Sequence, residues 1–445
     1  MSESRNLTRV PVDMLREGLY VAEPDCPWHE VPVMFQGFVL RTAQDIKVFQ
    51  KHCSYVYVAP ERSIKDAYAA LASELAGLSG FGESAQAGDV GVAMAAERHP
   101  AKRGYAERAQ AAAVDHREAV EYVERALADV RLGRALRWQE ARPLVQSLTE
   151  QLANNSAAVL WLTKLKHKDM QSSAHAVNVC VFSMLFGMYL GLPEEQLQNI
   201  GLGALLHDIG KAKLPPEILG KAGVLDRDEW AVVKRHPEEG VELVFDDREL
   251  PREVREIIMM HHERIDGQGY PWGLGAKNLP DHVRIVSLAN TYDSHTSERV
   301  YRAARPADQV LQEMYNSREQ TVGAELVQAF IHCLGIFPIG TLVELNNGAL
   351  GVVIDSDADS RLKPTVLLVR TPDGQPYTKR LLLNLAAVPD ARPGQTTQFI
   401  RRAVNPANYD VDVAAIIAFE FGIDWYGSGS AGEPDGSDGK RRRLG

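Results

Sequence analysis

Residues 200–211 read IGLGALLHDIGK, an apolar run that ends in a histidine, an aspartate and, three residues later, a lysine. The run over residues 200–206 predicts a helix that is buried on most sides, and we expect His207 and Asp208 to continue it. Because a buried carboxylate without a partner is costly, Asp208 needs a cation, and a metal ion meets that need. Lys211 follows His207 by four residues, so we expect it to project from the same face toward an anionic ligand.

A second motif, HHERIDGQGYPWGL, spans residues 261–274. Pro251 is suited to open the helix that precedes it, because proline is favoured at the first helical position. Apolar side chains within residues 254–258 form one stripe of that helix, and His261 continues the stripe at the next turn. The segment DGQGYP then ends the helix in a glycine-rich turn. The motif therefore predicts a histidine pair at the end of a buried helix, followed by a loop.

Three more residues of metal-ligating type flank these motifs: His175 in SSAHAVN, His236 in KRHPEEG and Asp293 in NTYDSHTS. A lone histidine on an apolar helix face is more often a hydrogen-bonded core residue than a ligand. Five histidines and two aspartates in this arrangement instead suit a site for divalent transition metals. The candidate ligands are His175, His207, Asp208, His236, His261, His262 and Asp293.

The two motifs together, HDIGK followed by HHExxDGxGYPxGL, resemble those of the HD-GYP family, a branch of the HD-domain metal phosphohydrolases. The resemblance covers about residues 169–334. It implies a metal-dependent phosphodiesterase that hydrolyses the bacterial second messenger cyclic di-GMP to pGpG, GMP or both. It also implies two divalent metal ions, iron or manganese, with Asp208 as the bridge between them. The resemblance assigns His175, His207 and Asp293 to one metal, and His236, His261 and His262 to the other.

The resemblance further implies roles in catalysis and in substrate binding. Asp208 and Lys211 are the expected catalytic residues, and Asp169 matches a position that lies near the metals in the family. Some family members hold a third metal with a glutamate one turn before the first histidine, where this chain has Gln171. Because an amide has no charge to offset a third cation, we expect two metals. The implied substrate-binding residues are Lys211, Gly269, Tyr270, Pro271, Arg302 and Arg305.

Two alternatives to this function stay open at the level of sequence. HD phosphohydrolases also act on other nucleotides, and the HDxxK pattern alone does not exclude such a substrate. A catalytically silent adaptor that binds cyclic di-GMP or a protein partner is the other alternative. Relatives of that silent kind usually lose metal ligands, whereas this chain keeps the whole set, so the hydrolase is the favoured interpretation.

Composition and charge limit the expected partners and compartment. A hydrophobic content of 45% and a charged content of 24% are typical of globular domains. The net charge of -10 argues against binding to DNA, RNA polymers or anionic membranes. The longest apolar run, residues 179–192, is too short to span a bilayer, and the N-terminus lacks a signal-peptide pattern. We expect a cytoplasmic protein whose partners are cyclic di-GMP, diguanylate cyclases with GGDEF domains and a second copy of the chain.

The predicted fold is multidomain and mainly α: an all-α helical bundle of HD type, a small N-terminal α+β domain and a small C-terminal β domain. The segment REGLYVAEPDCPWHEVPVMFQGFVL resembles a domain of unknown function that often precedes HD-GYP domains. The turn signals Asn-Asn-Gly and Pro-Asp-Gly predict hairpins in the β domain. The predicted limits are 1–60 for the N-terminal domain, 61–115 for a linker, 116–335 for the bundle, 336–398 for the β domain and 399–445 for a C-terminal helix and disordered tail.

Local patterns in the N-terminal domain predict individual elements. Short strands are expected over residues 19–22, 37–40 and 55–58, and a helix is expected over residues 43–52. The four cysteines of the chain contain no CxxC pair, so free thiols in a reducing compartment are expected.

Overall fold

The structure is a computed structural model. It describes residues 7–26, 31, 37–76, 102–165, 171–221, 223–297, 304–356, 363–377, 381–387, 398–421 and 423. The chain divides into two compact units, each treated separately below. The first unit comprises Met1–Arg98, Arg305–Asn316 and Ile331–Asn405, and the second comprises His99–Ala304, Ser317–Phe330 and Pro406–Gly445.

Helices dominate the described residues and strands form two small sheets, which confirms the predicted mainly α, multidomain fold. The helices are α1 Ala43–His52, α2 Lys65–Ala76, α3 Lys102–Arg131, α4 Ala141–Leu162, α5 Gln171–Tyr189, α6 Glu194–Leu206, α7 Pro216–Leu219, α8 Arg227–Val233, α9 His236–Glu242, α10 Arg252–Met260, α11 Asp281–Thr296, α12 Ala307–Asn316, α13 Ala324–Leu334 and α14 Val413–Phe421. The strands are β1 Thr8–Pro11, β2 Tyr20–Pro24, β3 Phe38–Val39, β4 Tyr55–Val58, β5 Leu342–Leu345, β6 Leu350–Asp355, β7 Thr365–Arg370, β8 Leu382–Asn384 and β9 Ile400–Ala403. Among the described residues, none of the helices is both long enough and apolar enough to cross a membrane.

The N-terminal part of the first unit is an antiparallel sheet in the order β1-β4-β2-β3, covered by helices. Helix α1 begins at a capping box, in which Thr42 and Asp45 satisfy each other's backbone amides. The predicted strands and the helix over residues 43–52 are confirmed within one or two residues, while strand β1 was not predicted. Helix α2 falls in the predicted linker, yet its Leu71 is fully buried in the same core as Phe49. This segment therefore belongs to the packed unit, because its apolar face covers the sheet.

The C-terminal part of the first unit is a five-stranded antiparallel sheet in the order β8-β7-β6-β5-β9. The Asn-Asn-Gly turn joins β5 to β6 as predicted, and its Gly348 has a φ of +87°, which only glycine adopts without strain. Strand β9 pairs with β5 beyond residue 398, so the sheet extends past the predicted limit of the β domain. The remaining domain limits stay predictions.

The core of the helical unit is built around α5, whose side chains are buried along most of its length. Two aromatic rings of α5 pack edge to face against neighbouring rings. The ring centroid of Phe182 lies 5.1 Å from that of Tyr292 in α11, and the centroid of Phe186 lies 5.1 Å from that of Phe330. Helix α6 approaches its neighbours closely because it carries glycine at position 203, where an added Cβ would lie 2.5 Å from Ile257 of α10. This packing brings the C-terminal ends of α6 and α10 together.

The predicted continuation of α6 through the His-Asp pair is wrong. The α-helix ends at Leu206, His207 follows it, and Asp208 leaves helical geometry with φ -99° and ψ 7°. A 3-10 helix then covers Ile209–Lys213. Helix α10 likewise starts after Pro251 as predicted but ends at Met260, before both histidines. The histidines thus stand at helix ends, where their side chains are free to bind the last backbone carbonyls.

The 3-10 turn depends on a glycine. A Cβ on Gly210 would lie 2.0 Å from the carbonyl oxygen of His236 and 2.5 Å from the backbone nitrogen of Gly240. Because both obstacles are backbone atoms, Gly210→Ala should lower the free energy of unfolding of the helical unit by about 3 kcal/mol. The matched control is Gly275→Ala, where an added Cβ meets no atom within 4 Å. Urea unfolding followed by circular dichroism would measure both, and equal stability of the two variants would contradict the packing argument.

Candidate metal centre

Three histidines that follow helix ends converge on Asp208, and each has the same hydrogen bond. In every case Nδ1 lies within hydrogen-bond distance of the carbonyl three residues earlier, in the last turn of the helix that precedes the histidine. The pairs are His207 with Ala204 at 2.7 Å, His236 with Val233 at 2.8 Å and His261 with Ile258 at 3.0 Å. A carbonyl only accepts, so Nδ1 carries the proton and Nε2 presents its lone pair. The side chains cap α6, α8 and α10 and at the same time become metal-ligating groups.

The free ring nitrogens meet at one carboxylate. Asp208 Oδ1 lies 3.3 Å from His236 Nε2 and 3.8 Å from His261 Nε2, and Oδ2 lies 3.3 Å from His207 Nε2. The Nε2 atoms of His236 and His261 are 3.1 Å apart, which places two lone pairs against each other. Within the described part of the chain, His207 Nε2 and Asp208 Oδ1 are buried without a hydrogen-bond partner. Buried acceptors that face one another in this way fit a cation between them.

The protonation states suit metal binding. Burial lowers the pKa of His236 to about 4 and the pKa values of His261 and His262 well below their ordinary range. Burial opposes ionisation of Asp208, but the electrostatic effects of His207 and Lys211 outweigh it and hold the pKa of Asp208 well below its usual value. The imidazoles of His236, His261 and His262 are therefore neutral and the Asp208 carboxylate is ionised at neutral pH, which are the forms that bind metals.

The ligand atoms fall into two groups that share one residue. The first group contains Asp208, His236, His261 and His262, and the second contains His175, His207 and Asp208. Within each group the ligand atoms lie within 4.8 Å of one another. Imidazole and carboxylate donors suit divalent first-row transition metals.

Asp293 and His175 form a buried pair beside the second group. Asp293 Oδ2 lies 2.6 Å from His175 Nδ1, and its Oδ1 accepts hydrogen bonds from Asn178 at 3.0 Å and Ser297 at 2.8 Å. His175 Nε2 lies 3.1 Å from Asn290 Oδ1. Asp293 belongs to neither ligand group, and its contacts are those of a carboxylate that orients a histidine. Its role as a direct ligand stays a prediction.

The position of Lys211 differs from the expected one. Its Nζ donates to Asp208 Oδ2 at 2.6 Å, and the side chain is 30% exposed. The expectation assumed α-helical spacing from His207, whereas the 3-10 turn brings Lys211 back over the residue three positions earlier. The ammonium group is therefore paired with the central carboxylate at the solvent edge of the site.

The glycine-rich loop after His262 is held by Glu263, a residue that the sequence did not single out. Its buried carboxylate accepts hydrogen bonds from the backbone amides of Trp272 at 2.7 Å, Gly273 at 3.1 Å and Leu274 at 2.8 Å. The available signal was its place directly after two ligands, since a buried carboxylate there requires several donors. Glu263 therefore fixes both ends of the loop.

Inside this loop, Gly269 and Tyr270 have distinct structural roles. A Cβ on Gly269 would lie 2.5 Å from the backbone of Glu263 and Arg264, so the loop closes only with glycine at this position. The ring of Tyr270 stacks on His262 with centroids 4.6 Å apart and planes at 20°. Pro271 follows as a half-buried loop residue. The loop thus contacts the first ligand group through Tyr270.

Two unpredicted residues extend the aromatic surface next to Tyr270. The indole of Trp230 lies edge-on to Tyr270 at 6.3 Å and is 44% exposed. The ammonium nitrogen of Lys234 lies 5.7 Å from the Tyr270 ring and 5.9 Å from the Trp230 ring. A cation above aromatic rings is a favourable arrangement, and it leaves a positively charged, stacking surface beside the site.

Three further predicted residues are Asp169, Arg302 and Arg305. Arg302 and Asp169 lie outside the described residues. Arg305 belongs to the first unit, where its guanidinium forms a bidentate salt bridge with Glu313. Its predicted role in substrate binding has no support from these contacts and stays a prediction.

Comparison with known families covers most of the chain. A model described as an HD domain matches residues 121–326, a domain of unknown function (DUF3391) matches residues 7–141, and a KOW domain associated with HD domains matches residues 342–411. A cyclic di-GMP phosphodiesterase of Pseudomonas aeruginosa is 31% identical over 362 residues, which cover 81% of this chain and 84% of that protein.

Two shorter matches are confined to part of each relative. A cyclic di-GMP phosphodiesterase response regulator of Xanthomonas campestris pv. campestris is 36% identical over 168 residues, 38% of this chain and 44% of the relative. A 3′3′-cGAMP-specific phosphodiesterase of Vibrio cholerae is 31% identical over 165 residues, 37% of this chain and 32% of the relative.

Burial of neutral His236 makes the stability of the metal-free protein depend on pH. Its pKa falls from 6.5 to about 4 on folding, so below pH 6.5 the unfolded chain takes up a proton that the folded chain does not. Stability is complete above pH 6.5 and should fall by roughly 3 kcal/mol from this residue as the pH drops toward 4.

The pH dependence can be assigned to His236 with one variant. His236→Gln should reduce the dependence of the unfolding free energy on pH between 6.5 and 4, while His261 and His262 still contribute to it. Urea unfolding of chelator-treated protein at several pH values measures the slope. The same slope in the variant and the wild-type chain would contradict the inference that His236 is buried in its neutral form.

Proposed function

We infer that this chain, which belongs to the HD-GYP family of HD-domain phosphodiesterases, hydrolyses cyclic di-GMP to pGpG, GMP or both in a metal-dependent reaction. The observation that carries the proposal is the shared carboxylate: Asp208 belongs to both groups of buried ligand atoms. Such a carboxylate can offer one oxygen to each of two cations. The relative from Pseudomonas aeruginosa, which aligns over 84% of its length, supports the same substrate.

The residues of the chain set up the reaction before substrate arrives. We propose that the site holds two divalent cations, iron or manganese, bound by His175, His207, Asp208, His236, His261 and His262, with Asp293 beside His175. Such cations, when bound, supply Lewis acidity toward phosphate oxygens and lower the pKa of water. Asp208 contributes the negative charge, and the histidines contribute fixed neutral donors that their backbone hydrogen bonds hold in place. The chain therefore needs little reorganisation to bind the ions.

Lys211 and the aromatic surface are suited to a cyclic dinucleotide. The Lys211 ammonium lies at the partly exposed edge of the centre, where it adds positive charge near an approaching phosphate. Trp230 and Tyr270 offer ring faces on which a purine base can stack, and Lys234 adds a second cation there. We propose that one guanine of the substrate occupies this surface while a phosphate reaches the centre.

A related cyclic dinucleotide is a second candidate substrate. The match to the 3′3′-cGAMP-specific enzyme has 31% identity over 165 residues, close to the identity with the cyclic di-GMP enzymes. Catalytic metal chemistry is the same for both substrates, so the residues that contact the second base decide between them.

The cytoplasmic location, the diguanylate cyclase partners and the homodimer predicted from the sequence are retained as proposals that rest on the signalling role of the substrate.

The central test is turnover by purified protein loaded anaerobically with Fe(II) or Mn(II). Wild-type protein should convert cyclic di-GMP to linear product, detected by chromatography. His207→Ala and Asp208→Ala should lower the rate by about 10³-fold or more and reduce the bound metal, because each removes a ligand. The exposed residue Asp246 offers a control in the same unit, and Asp246→Ala should retain both activity and metal.

The same assay separates the alternatives. Tight binding of cyclic di-GMP without turnover by any metal-loaded form would overturn the hydrolase in favour of a silent adaptor. Faster turnover of cGAMP or of another nucleotide than of cyclic di-GMP would show that the proposed substrate is wrong and that the proposed metal-dependent hydrolysis is right. Full activity of metal-depleted Asp208→Ala would contradict the metal-dependent mechanism itself.

Substitution of Lys211 tests whether its positive charge contributes to catalysis, because this side chain is not among the proposed metal ligands. Lys211→Ala should lower kcat by about 10²-fold while the metal content, measured by mass spectrometry, stays near wild type. Lys211→Arg keeps the positive charge and should retain more activity than the alanine variant. Loss of metal in proportion to loss of activity in Lys211→Ala would show instead that the lysine acts by holding Asp208 in its ligating position.

A further inference from the structure

A second cluster of metal-ligating side chains lies in the first unit, away from the histidine centre in sequence. Among the described residues, Asp25, Cys26 and Cys53 place one ligand atom each within 4.8 Å of one another. Asp25 and Cys26 directly follow strand β2, and Cys53 stands between helix α1 and strand β4. The cluster therefore joins two chain segments that are distant in sequence.

The spacing of the two sulfur atoms is informative. Cys26 Sγ and Cys53 Sγ are 3.7 Å apart, much longer than a disulfide bond of about 2.0 Å. Two thiolates bound to one zinc ion at about 2.3 Å, with a tetrahedral angle between them, are separated by about 3.8 Å. The side chains thus have the spacing of two corners of a tetrahedral zinc site.

Asp25 is held in the manner of a ligating carboxylate. Its Oδ2 accepts hydrogen bonds from the backbone amides of Ser54 at 2.9 Å and Tyr55 at 3.2 Å. These amides directly follow Cys53 in the chain, so the carboxylate is fixed next to that thiol, and Oδ1 can serve as the metal-ligating oxygen. Hydrogen bonds of this kind orient carboxylate ligands around metals.

The electrostatics of the cluster favour a cation. Three groups that can each carry negative charge place their ligand atoms within 4.8 Å of one another. A thiophilic dication would stabilise the two thiolates by displacing their protons. Two sulfur donors favour zinc over harder metals such as magnesium, calcium and manganese, which prefer oxygen ligands.

We propose that Asp25, Cys26 and Cys53 bind one zinc ion, with water as the fourth ligand, and that this ion ties the end of β2 to the α1–β4 connection. The site is independent of the proposed phosphodiesterase activity. It gives the N-terminal domain a structural metal and makes the stability of that domain depend on zinc and on the reduced state of both thiols.

Cobalt(II) is a suitable probe of the full-length reduced protein, because cobalt bound to thiolates has an intense near-ultraviolet charge-transfer band. The histidine centre contains no cysteine, so cobalt bound there does not produce this band. With excess cobalt, wild-type protein should develop the band at an intensity that corresponds to one cobalt ion at the cysteine cluster, and zinc should abolish it. Cys26→Ser and Cys53→Ser should lose the band, whereas the control variants Cys333→Ser and Asp208→Ala should keep it.

Two measurements keep the test decisive if a cysteine variant fails to fold. Asp25→Asn keeps an oxygen for the Ser54 and Tyr55 amides and should bind cobalt about tenfold or more weakly. In wild-type protein, zinc should protect Cys26 and Cys53 from alkylation, as read by peptide mass spectrometry. Absence of the band from reduced wild-type protein, or equal alkylation with and without zinc, would overturn the proposal. Spontaneous formation of a Cys26–Cys53 disulfide in the presence of excess zinc would also overturn it.

Discussion

The hydrogen bond from a histidine Nδ1 to the carbonyl three residues earlier is the interaction on which the histidine centre depends. It occurs at the ends of α6, α8 and α10. In each case one bond satisfies a carbonyl that the ending helix leaves unpaired and fixes the tautomer that frees Nε2. The helix ends are therefore stabilised by the same side chains that create the ligand set, so secondary structure and site geometry are determined together.

Packing then brings these ends close enough to share Asp208. Glycine at position 203 lets α6 contact α10, and Gly210 lets the 3-10 turn contact the start of α9. The result is a buried carboxylate surrounded by neutral imidazoles, with acceptors that have no partners among the described residues. An arrangement of this kind is unfavourable without a cation. Packing of the apolar core therefore holds the ligand atoms in positions that favour cation binding. Metal binding should consequently stabilise the folded helical unit.

The sequence predicted the chemistry of the centre better than its geometry. The identities of His207, His236 and His261 followed from ligand chemistry and from motifs, which depend only on residue type. The exact helix ends did not follow, because a helix that stops at Leu206 and one that continues to Asp208 have the same apolar pattern. The contact between Lys211 and Asp208 was missed for the same reason, since it requires the 3-10 turn.

Contacts between distant parts of the chain were also beyond sequence reasoning. Glu263 belongs to the second motif and Asn178 to neither, but the amides and the carboxylate that they bind are identified only in space. The thiol pair of the N-terminal domain is a further case, because Cys26 and Cys53 show no metal-binding spacing in sequence and meet only through the sheet. The two clusters differ in donor type, because one combines two thiols with a carboxylate and the other combines imidazoles with a carboxylate. Only folding reveals this difference, since it depends on which distant segments of the chain meet.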